Sequence, residues 1–292
     1  MSLRLLVAAS VACGVLTLQA VAAGQAPVVT RSMPVAAAPS TTSTATAVRR
    51  VLPPVNAAAD YQLGGGYAPA RGVRIVTRDV TERPAPGMYG ICYVNAFQTQ
   101  SGTASWWLRA HPNLVLRAAS GAIVRDPGWP DEMLLDTSTP GKRTTLAAIV
   151  GIWLSRCARA RYRAVEPDNL DSWTRSRGRL TMRMNAAFAA LVVRRAHALG
   201  LAVAQKNDTD MLALRATTGF DFAVAEECQV YSECAAYQHV YGRHLIEIEY
   251  SDAGGRPNFR AACRARGAAV TIVYRDRDLV PRGHAGYVFA TC

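Results

Sequence analysis

Acidic side chains are concentrated in three short segments of this 292-residue chain, and each segment ends or follows a short apolar run. The segments are AVEPDNLDS, FAVAEE and LIEIEY, and their carboxylates are Glu166, Asp168, Asp171, Glu226, Glu227, Glu247 and Glu249. Two convergent carboxyl groups suit acid/base chemistry, because one can donate a proton while the other stays ionised. We take Asp168 and Glu226 as the candidate catalytic pair, since both stand where a buried strand is expected to end.

The same acids also have a structural interpretation. Carboxylates near helix N-termini are stabilised by the helix dipole, and others could pair with arginines at the rim of the fold. For Asp171 and Glu227, the residues leave this interpretation and a role in the site equally open.

One lysine and one asparagine are expected to stand close to these acids. The run QKN ends another apolar segment, so Lys206 and Asn207 would reach the same end of the fold. The chain has only two lysines against 31 arginines, and a compact ammonium at Lys206 would offset the repulsion between gathered carboxylates. Pro167 favours an extended backbone at Glu166, which then points the same way as Asp168.

Short apolar strands alternate with helical stretches after residue 60. The expected strands are 61–63, 73–76, 89–95, 133–136, 164–166, 201–206, 220–226, 245–250 and 269–274. The expected helices are 144–159, 182–199, 210–217 and 259–266, with Thr181 as an N-cap and Gly200 as a stop. Strands that are apolar on both faces are typical of parallel sheets covered by helices. We predict a single-domain α/β fold, a (β/α)8 TIM-type barrel stabilised by disulfides, in which one of the nine candidate strands either lies outside the barrel or is not a strand.

In a parallel barrel, the carboxyl ends of the strands and the loops after them form the active site. Polar residues follow those ends here, and they are the candidates for binding a substrate. They are Tyr61, Asn95, Asp136, Glu166, Asn169, Asp171, Lys206, Asn207 and Glu249.

Composition and motifs exclude several function classes. The formal charge is +12, but no lysine-rich run or basic patch with interleaved aromatic residues is present, so we expect no nucleic-acid partner. The chain has no GxGxxG, P-loop or GxSxG motif and no His/Cys set with metal-ligand spacing. We therefore expect no cofactor and no metal.

The amino terminus has the pattern of an export signal. A basic start precedes an apolar run over 5–18, and small residues follow it. We expect a signal peptide over 1–23 that is cleaved near 22–24, a disordered Ala/Pro/Ser/Thr-rich linker over 24–59 and one domain over 60–292. The apolar run is too short for a membrane span, so we expect no stable membrane insertion. We expect a secreted protein, and we expect it to be a monomer.

Six cysteines remain once such a signal is removed, and an even number in an exported chain favours disulfides over free buried thiols. They are Cys92, Cys157, Cys228, Cys234, Cys263 and Cys292. Sequence alone does not choose among the roughly 15 possible pairings. Cys228–Cys234 is the best local candidate, and Cys263–Cys292 is the next.

Several of these segments resemble glycoside hydrolase family 114, the endo-α-1,4-polygalactosaminidase-like family. They are, in order, DYQLGGGY (60–67), ICYVNAF (91–97), LLDT (134–137), VEPDNLD (165–171), QKN (205–207), DFAVAEECQVYSEC (221–234) and IEIEY (246–250). The resemblance implies a (β/α)8-type barrel that hydrolyses α-1,4-linked galactosamine polymers. It also implies that Asp168 and Glu226 are catalytic, because they match the aspartate before the asparagine of the family's DPDN element and the glutamate of its NEQC element.

The resemblance extends to the surrounding pocket, and it has two departures. The matching pocket positions are Asn169, Asp171, Lys206, Asn207 and Glu249. Glu166 replaces the first aspartate of DPDN, and Ala225 replaces the asparagine before the glutamate. A longer side chain and a lost amide can change which sugar is accepted.

We expect Glu226 to be the general acid/base and Asp168 the nucleophile of a retaining, polysaccharide-cleaving hydrolase. Aromatic faces could stack on sugar rings or simply pack in the core, and the candidates are Tyr61, Tyr67, Trp106, Trp107 and Trp129. A mouth lined by carboxylates would attract a cationic amino sugar. Two alternatives stay open, namely a non-catalytic glycan- or cell-wall-binding barrel and a glycosidase acting on another amino-sugar polymer.

Overall fold

Nine strands form one continuous sheet, and the first eight run parallel in the order of the sequence. The computed structural model describes residues 50–292, so the expected signal peptide and linker residues 24–49 lie outside the described residues. The strands are β1 (Ala59–Gln62), β2 (Ile75–Asp79), β3 (Tyr89–Asn95), β4 (Ala164–Asp168), β5 (Ala202–Lys206), β6 (Phe222–Glu226), β7 (Leu245–Tyr250), β8 (Thr271–Arg275) and β9 (Phe289–Thr291). The α-helices are α1 (Ala104–Ala110), α2 (Pro140–Arg159), α3 (Met182–Ala198), α4 (Arg215–Thr218), α5 (Cys234–Tyr241) and α6 (Gly255–Arg266).

Strands β1 to β8 wrap into a (β/α)8-type barrel. Alternate residues of each strand face the interior, where side chains such as Ala164, Ala204 and Ile248 fill the space. The residues between them, such as Val165 and Val203, pack with the helices in a second and larger core outside the strands. The predicted fold class is confirmed, and the strands are apolar on both faces because both faces are covered.

The expected strand over 133–136 lies outside the barrel. Leu134 bridges to Gln98 and Leu135 to Val115, both in antiparallel fashion, within the segment that joins β3 to α2. The apolar run is buried within this insertion rather than between barrel strands. Strand β9 was not expected, since three residues are too few to show a period, and it pairs antiparallel with β8.

The two longest helices begin at threonine caps. Thr139 accepts a hydrogen bond from the backbone of Lys142, and Thr181, the expected cap, accepts one from Met184. The expected helix over 210–217 is instead a 3₁₀ turn followed by the short α4. Helices α1 and α5 were not predicted, because they are too short for a helical period of apolar residues to be recognised in the sequence. No helix in the described part of the chain has the length and apolar character to cross a membrane.

The folded unit begins before the expected boundary at residue 60. Residues 50–59, which we expected to belong to the linker, are part of it. Ala57 and Ala59 are buried, and the backbone N–H of Ala57 donates to Thr271 Oγ1 at 3.2 Å. Small side chains let this segment lie close to the barrel, and the same composition made it resemble a linker.

One arginine links the first and last parallel strands. Arg275 of β8 is fully buried, donates to the carbonyl of Tyr61 and pairs with Asp60 at 3.2 Å. It also donates to the carbonyl of Val288, just before β9, at 3.0 Å. No parallel ladder joins β8 to β1 within residues 50–292, so this guanidinium, together with the hydrogen bond from Ala57 to Thr271, supplies polar contacts across the seam.

Three disulfides fasten the outer shell of the barrel. They are Cys92–Cys157, Cys228–Cys234 and Cys263–Cys292. The two pairs favoured by the sequence are confirmed. The third joins β3 to α2 across a separation of 65 residues, and the long loop that it closes is the kind that constrains an unfolded chain most.

Replacing Arg275 by methionine should destabilise the fold. The change leaves Asp60 buried without its cation, and breaking a buried pair in this way costs about 3–5 kcal/mol. We expect the free energy of unfolding, measured in urea, to fall by that amount. Arg264→Met removes an exposed arginine of α6 and should change it by less than about 0.5 kcal/mol. Equal effects of the two substitutions would contradict the role of Arg275.

Candidate active site

A cleft of about 700 Å³ opens at the carboxyl ends of the barrel strands. Its floor consists of Tyr61, Tyr93, Asp168, Lys206, Glu226 and Tyr250. Loops that follow the strands form its walls, including the insertion between β3 and α2 and the loop after β8. This is the end at which a parallel barrel places its active site.

The buried ammonium of Lys206 gathers two carboxylates at the floor of the cleft and a third, Glu166, which is fully buried and does not line the cleft, so its expected contact with substrate is corrected. Its Nζ lies 3.1 Å from Glu166, 3.5 Å from Asp168 and 3.2 Å from Glu226. Strands β4, β5 and β6 are neighbours, and their inward-facing residues carry these four side chains to one end of the barrel. The two expected catalytic carboxylates therefore meet across one lysine, whose side chain is only 2% exposed.

Burial and charge act in opposite directions on this group. Burial alone would lower the pKa of Lys206, but the carboxylates of Asp168 and Glu226 outweigh it and raise that pKa well above its usual value. Burial raises the pKa of Glu166, and Lys206 and Tyr61 offset only part of this effect. Glu166 Oε2 has no hydrogen-bond partner among the described residues. Lys206 thus stays charged, while Glu166 takes up a proton more readily than an exposed glutamate.

Each of these three carboxylates accepts a hydrogen bond from a tyrosine, and Tyr61 and Tyr250 are buried whereas Tyr93 is half-buried. The pairs are Tyr61–Glu166 at 2.6 Å, Tyr93–Asp168 at 2.7 Å and Tyr250–Glu226 at 2.5 Å. Burial raises the pKa of all three phenols, and the carboxylates beside them add to the effect. The phenols therefore remain donors at neutral pH. Tyr93 and Tyr250 were not expected, although Tyr93 shares the inward face of its strand with Asn95.

Asn207 fixes the position of Glu226. Its Nδ2 donates to Glu226 Oε2 at 3.0 Å, and its Oδ1 accepts from the backbone N–H of Glu226 at 2.8 Å. The backbone of Asn207 is left-handed, with φ of 50°, a conformation that asparagine adopts more readily than most residues. The residue directly after β5 thus orients the acid at the end of β6.

Asn95 connects the floor of the cleft to the insertion. Its Nδ2 donates to Glu132 Oε2 at 2.8 Å, and its Oδ1 accepts from Asn169 Nδ2 at 2.9 Å. Asn169 directly follows Asp168 and has a left-handed backbone. The structure therefore brings the expected residues Asn95 and Asn169 together. Glu132 was not expected, because it lies in an irregular loop that carries no periodic pattern.

Arg277, in the loop after β8, fastens the loops that follow β6 and β7. Its guanidinium pairs with Glu227 at 2.6 Å and with Asp252 at 3.0 Å. It also lies 4.1 Å from the centre of the Tyr250 ring, and the hydroxyl of this tyrosine donates to Glu226. Glu227 thus pairs with an arginine, and that arginine supports the phenol that contacts the candidate acid.

The sequence matches the model of glycoside-hydrolase family GH114 over residues 38–292. The chain belongs to glycoside hydrolase family 114. The matched range contains every side chain at the floor of the cleft, and the chain is therefore a glycoside hydrolase. Among the curated proteins, none matches this sequence.

Two solved structures have the same fold as this GH114 chain. Ega3 from Aspergillus fumigatus, in complex with galactosamine, has a TM-score of 0.66 and 21% sequence identity, over 84% of this chain and 98% of that one. The glycoside hydrolase domain of PelA from Pseudomonas aeruginosa has a TM-score of 0.56 and 16% identity, over 78% of this chain and 98% of that one. Both similarities support the barrel assignment.

Glu249, expected in the GH114 pocket, points away from it. Strand β7 directs Ile248 and Tyr250 inward, so the period of two turns Glu249 outward. There its carboxylate is fully buried and accepts from the backbone N–H of Gln229 at 3.0 Å. Burial, reinforced by the neighbouring Glu247, raises the pKa of Glu249 to about 7. The expectation that Glu249 binds substrate is corrected accordingly.

Asp136 and Asp171 also lie outside the cleft. Asp136 belongs to the insertion rather than to a barrel strand, and it pairs with Lys142 in the first turn of α2 at 2.5 Å. Asp171 lies in a 3₁₀ turn after β4 and pairs with Arg175 at 2.6 Å. For Asp171, as for Glu227, the structure supports the structural interpretation, and the expectation that Asp136 binds substrate in this cleft is corrected.

The five aromatic residues considered for sugar stacking divide into two groups. Tyr61 and Trp129 line the cleft. Trp107 is buried, Trp106 packs edge-on against it, and Tyr67 donates to an aspartate of β1. Of these five residues, Trp129 is the one that lines the cleft with a largely exposed ring, whereas Tyr61 is only 2% exposed.

One group of side chains in residues 50–292 has the spacing of a metal site, and it lies outside the cleft. Its members are Cys228, Cys234, Glu247 and Glu249. The two cysteines form a disulfide, so they offer no thiolate. Glu247 already pairs with Arg266 at 2.8 Å. Most of the ligand atoms that a metal ion would need in this group are therefore already engaged.

Replacing Glu249 by glutamine should alter how stability depends on pH, without affecting hydrolysis. Because the pKa of Glu249 is higher in the folded protein than the ordinary glutamate value of 4.5, protonated Glu249 contributes to the free energy of unfolding below pH 4.5. This contribution is lost as the pH rises through about 7. We expect Glu249→Gln to gain stability relative to wild type between these pH values, as measured by thermal unfolding. Asp210→Asn, at an exposed position, is the control. A profile parallel to that of wild type would contradict the burial of an ionisable Glu249.

Proposed function

We propose that this chain hydrolyses polysaccharides that contain α-1,4-linked galactosamine, with Asp168 and Glu226 as its catalytic carboxyl groups. The observation that carries the proposal is the meeting of these two side chains on Lys206 at the floor of an open cleft. The galactosamine in the Ega3 complex supports the choice of sugar, since the two proteins share a fold.

The charge of the cleft supports a cationic substrate. Six acids line it against two bases, and these are Asp79, Glu82, Glu132, Asp168, Glu226 and Asp278 against Lys206 and Arg277. The chain as a whole carries +12, so the cleft has the opposite sign to its surroundings. Charges more than about 8–10 Å away are largely screened at physiological salt. The local acids therefore dominate inside the cleft and attract a protonated amino group.

Hydrolysis proceeds in two steps in this proposal. In the first, the carboxylate of Asp168 attacks the anomeric carbon while the glycosidic bond breaks, and Glu226 gives its proton to the leaving oxygen. A glycosyl ester forms on Asp168. In the second, Glu226 takes a proton from water, whose oxygen attacks the anomeric carbon and releases the Asp168 carboxylate.

Lys206 is suited to the change of charge during these steps. The negative charge moves from Asp168 to Glu226 as the ester forms, and it returns as the ester is hydrolysed. A fixed ammonium that contacts both carboxylates stabilises either distribution without having to move. The phenols of Tyr93 and Tyr250 each donate to one of the two carboxylates and support it in the same way.

The contacts of Lys206 also support retention of configuration. Lys206 Nζ lies 3.5 Å from an oxygen of Asp168 and 3.2 Å from an oxygen of Glu226. The nearest oxygens of the two carboxyl groups therefore cannot be farther apart than the sum of these two distances. Retaining enzymes hold their carboxyl groups about 5–5.5 Å apart, and inverting enzymes about 6.5–9.5 Å. The limit set by the lysine favours the shorter separation.

We also propose that the protein works outside the cytoplasm. Its three disulfides are of a kind that persists in oxidising compartments. The export-signal pattern over residues 1–23 supports the same location.

Asp168→Asn and Glu226→Gln should each lower turnover by about 10²–10⁴-fold or more, because each keeps the shape of the side chain but removes its acid/base or nucleophilic function. The measurement is the release of reducing ends from partly deacetylated galactosaminan, with circular dichroism to check that both variants fold.

Asp210→Asn and Glu233→Gln are matched controls, since both acids lie outside the cleft. They should keep wild-type turnover. Near-normal turnover by both Asp168→Asn and Glu226→Gln would show that the catalytic assignment is wrong. If wild type binds the polymer but releases no product, the protein is instead a glycan-binding barrel.

The first product released from an α-linked polymer should carry the α configuration at its new reducing end. Retention requires it, because two successive displacements at the anomeric carbon restore the original configuration. Proton NMR during the first minutes of hydrolysis, before the anomers equilibrate, measures it. Early appearance of the β anomer would show inversion, and Asp168 would then act as a base rather than as a nucleophile.

A further inference from the structure

A turn in the insertion between β3 and α2 brings an aromatic and an acidic side chain to the wall of the cleft. The turn runs from Trp129 to Glu132, and the backbone N–H of Glu132 donates to the carbonyl of Trp129 at 2.8 Å. Both side chains line the cleft that contains Asp168. Neither has a part in the steps of hydrolysis proposed above.

Glu132 is a buried acid of the cleft that has no cationic partner. It is 7% exposed, and no lysine, arginine or histidine of residues 50–292 forms a salt bridge with it. Asp168 and Glu226, by contrast, share Lys206, and the other acids of the cleft wall are more exposed. Burial raises the pKa of Glu132, so a cation that enters the cleft here would stabilise its ionised form.

Trp129 presents a flat apolar surface beside this acid. It is 64% exposed and lines the cleft, so much of its ring is open to a ligand. The face of an indole packs against apolar surfaces, and it also attracts an ammonium within about 6 Å of its ring. An amino sugar offers both features in a single ring.

The turn is held in place before any ligand arrives. Asp126 Oδ1 accepts from the backbone N–H groups of Gly128 at 2.8 Å and Trp129 at 3.2 Å. Asp126 Oδ2 accepts from Gln98 at 2.6 Å and pairs with Arg175 at 2.6 Å. A binding surface fixed in this way loses little conformational freedom when it binds, and this favours affinity.

The turn is also coupled to the catalytic floor. Asn95 bonds Glu132 on one side and Asn169 on the other, and Asn169 directly follows Asp168. A sugar held by the turn is therefore connected through Asn95 and Asn169 to the chain segment that carries the candidate nucleophile.

We propose that Trp129 and Glu132 form a subsite for one galactosamine unit that carries a free amino group. The ammonium pairs with the Glu132 carboxylate, and the ring lies against the indole of Trp129. N-acetylation removes the positive charge and leaves Glu132 unpaired, so the subsite selects deacetylated units. This inference rests on the proposed function and adds to it that Glu132 distinguishes a free amino group from an N-acetylated one.

The test compares hydrolysis of fully deacetylated and fully N-acetylated α-1,4-galactosamine oligomers of equal length. Glu132→Gln should lower kcat/KM on the deacetylated oligomer by about 10- to 100-fold, chiefly through KM, because it removes a hydrogen bond between charged groups. Activity on the acetylated oligomer should stay within about twofold of wild type. Trp129→Ala should lower kcat/KM on both oligomers, because stacking does not depend on the charge.

Two control variants match these changes. Asp131→Asn removes an exposed acid from the same turn, and Tyr231→Ala removes an aromatic residue that is 63% exposed and lies outside the cleft. Both should leave kcat/KM on either oligomer unchanged. An Asp131→Asn effect as large as that of Glu132→Gln would show that the overall charge of the insertion, and not a subsite, attracts the substrate.

The outcomes separate this inference from the proposed function. If wild type hydrolyses the deacetylated oligomer and Glu132→Gln does so equally well, or loses both substrates by one common factor, the subsite is refuted and the hydrolase is not. If wild type hydrolyses neither oligomer, calorimetric binding of the deacetylated oligomer decides. Binding that weakens in Glu132→Gln supports the subsite without hydrolysis, and no binding refutes both.

Discussion

The structure depends on the placement of one buried ammonium among three carboxylates. Lys206 contacts Glu166, Asp168 and Glu226 at 3.1–3.5 Å. Without it, these three acids, two at the floor of the cleft and one fully buried, would repel one another with little hydration to offset the repulsion. A lysine fits this position because its ammonium is compact and can be approached from several sides, whereas the planar guanidinium of arginine directs its donors outward in one plane. The rarity of lysine in this chain is consistent with that requirement.

The barrel supplies the geometry that this cluster needs. Three adjacent parallel strands carry the four side chains, and the strand period of two turns all four toward the interior. Each carboxylate also receives a phenol from a different strand, β1, β3 or β7. The site therefore draws on six of the eight strands and requires that the barrel close, which gives the link between Arg275 and β1 a functional importance beyond stability.

The sequence predicted the floor of the cleft better than its walls. Asp168, Glu226 and Lys206 follow apolar strands, and strand ends in a parallel barrel meet, so their convergence follows from the pattern alone. The inward face of β7 was predicted wrongly. Glu247 and Glu249 share one face of the strand, but the local sequence does not show whether that face points into the barrel. Asp136 was taken for a strand end because a buried antiparallel bridge has the same apolar composition as a barrel strand. Glu132 lies in an irregular loop, whose course is set by contacts with Asn95 and the floor rather than by periodicity.

The shared guanidinium of Arg277 has a consequence for how this enzyme can diverge. Three successive loops, those after β6, β7 and β8, depend on that one side chain, and it rests on the phenol that contacts Glu226. A change in any of these loops is transmitted to the reacting groups, so this side of the cleft is constrained as a unit. The opposite side is an insertion stabilised by its own internal contacts. New substrate preferences can arise there by loop exchange, provided that the contacts of Glu132 with Asn95 and of Asp126 with Arg175, which join the insertion to the barrel, are kept.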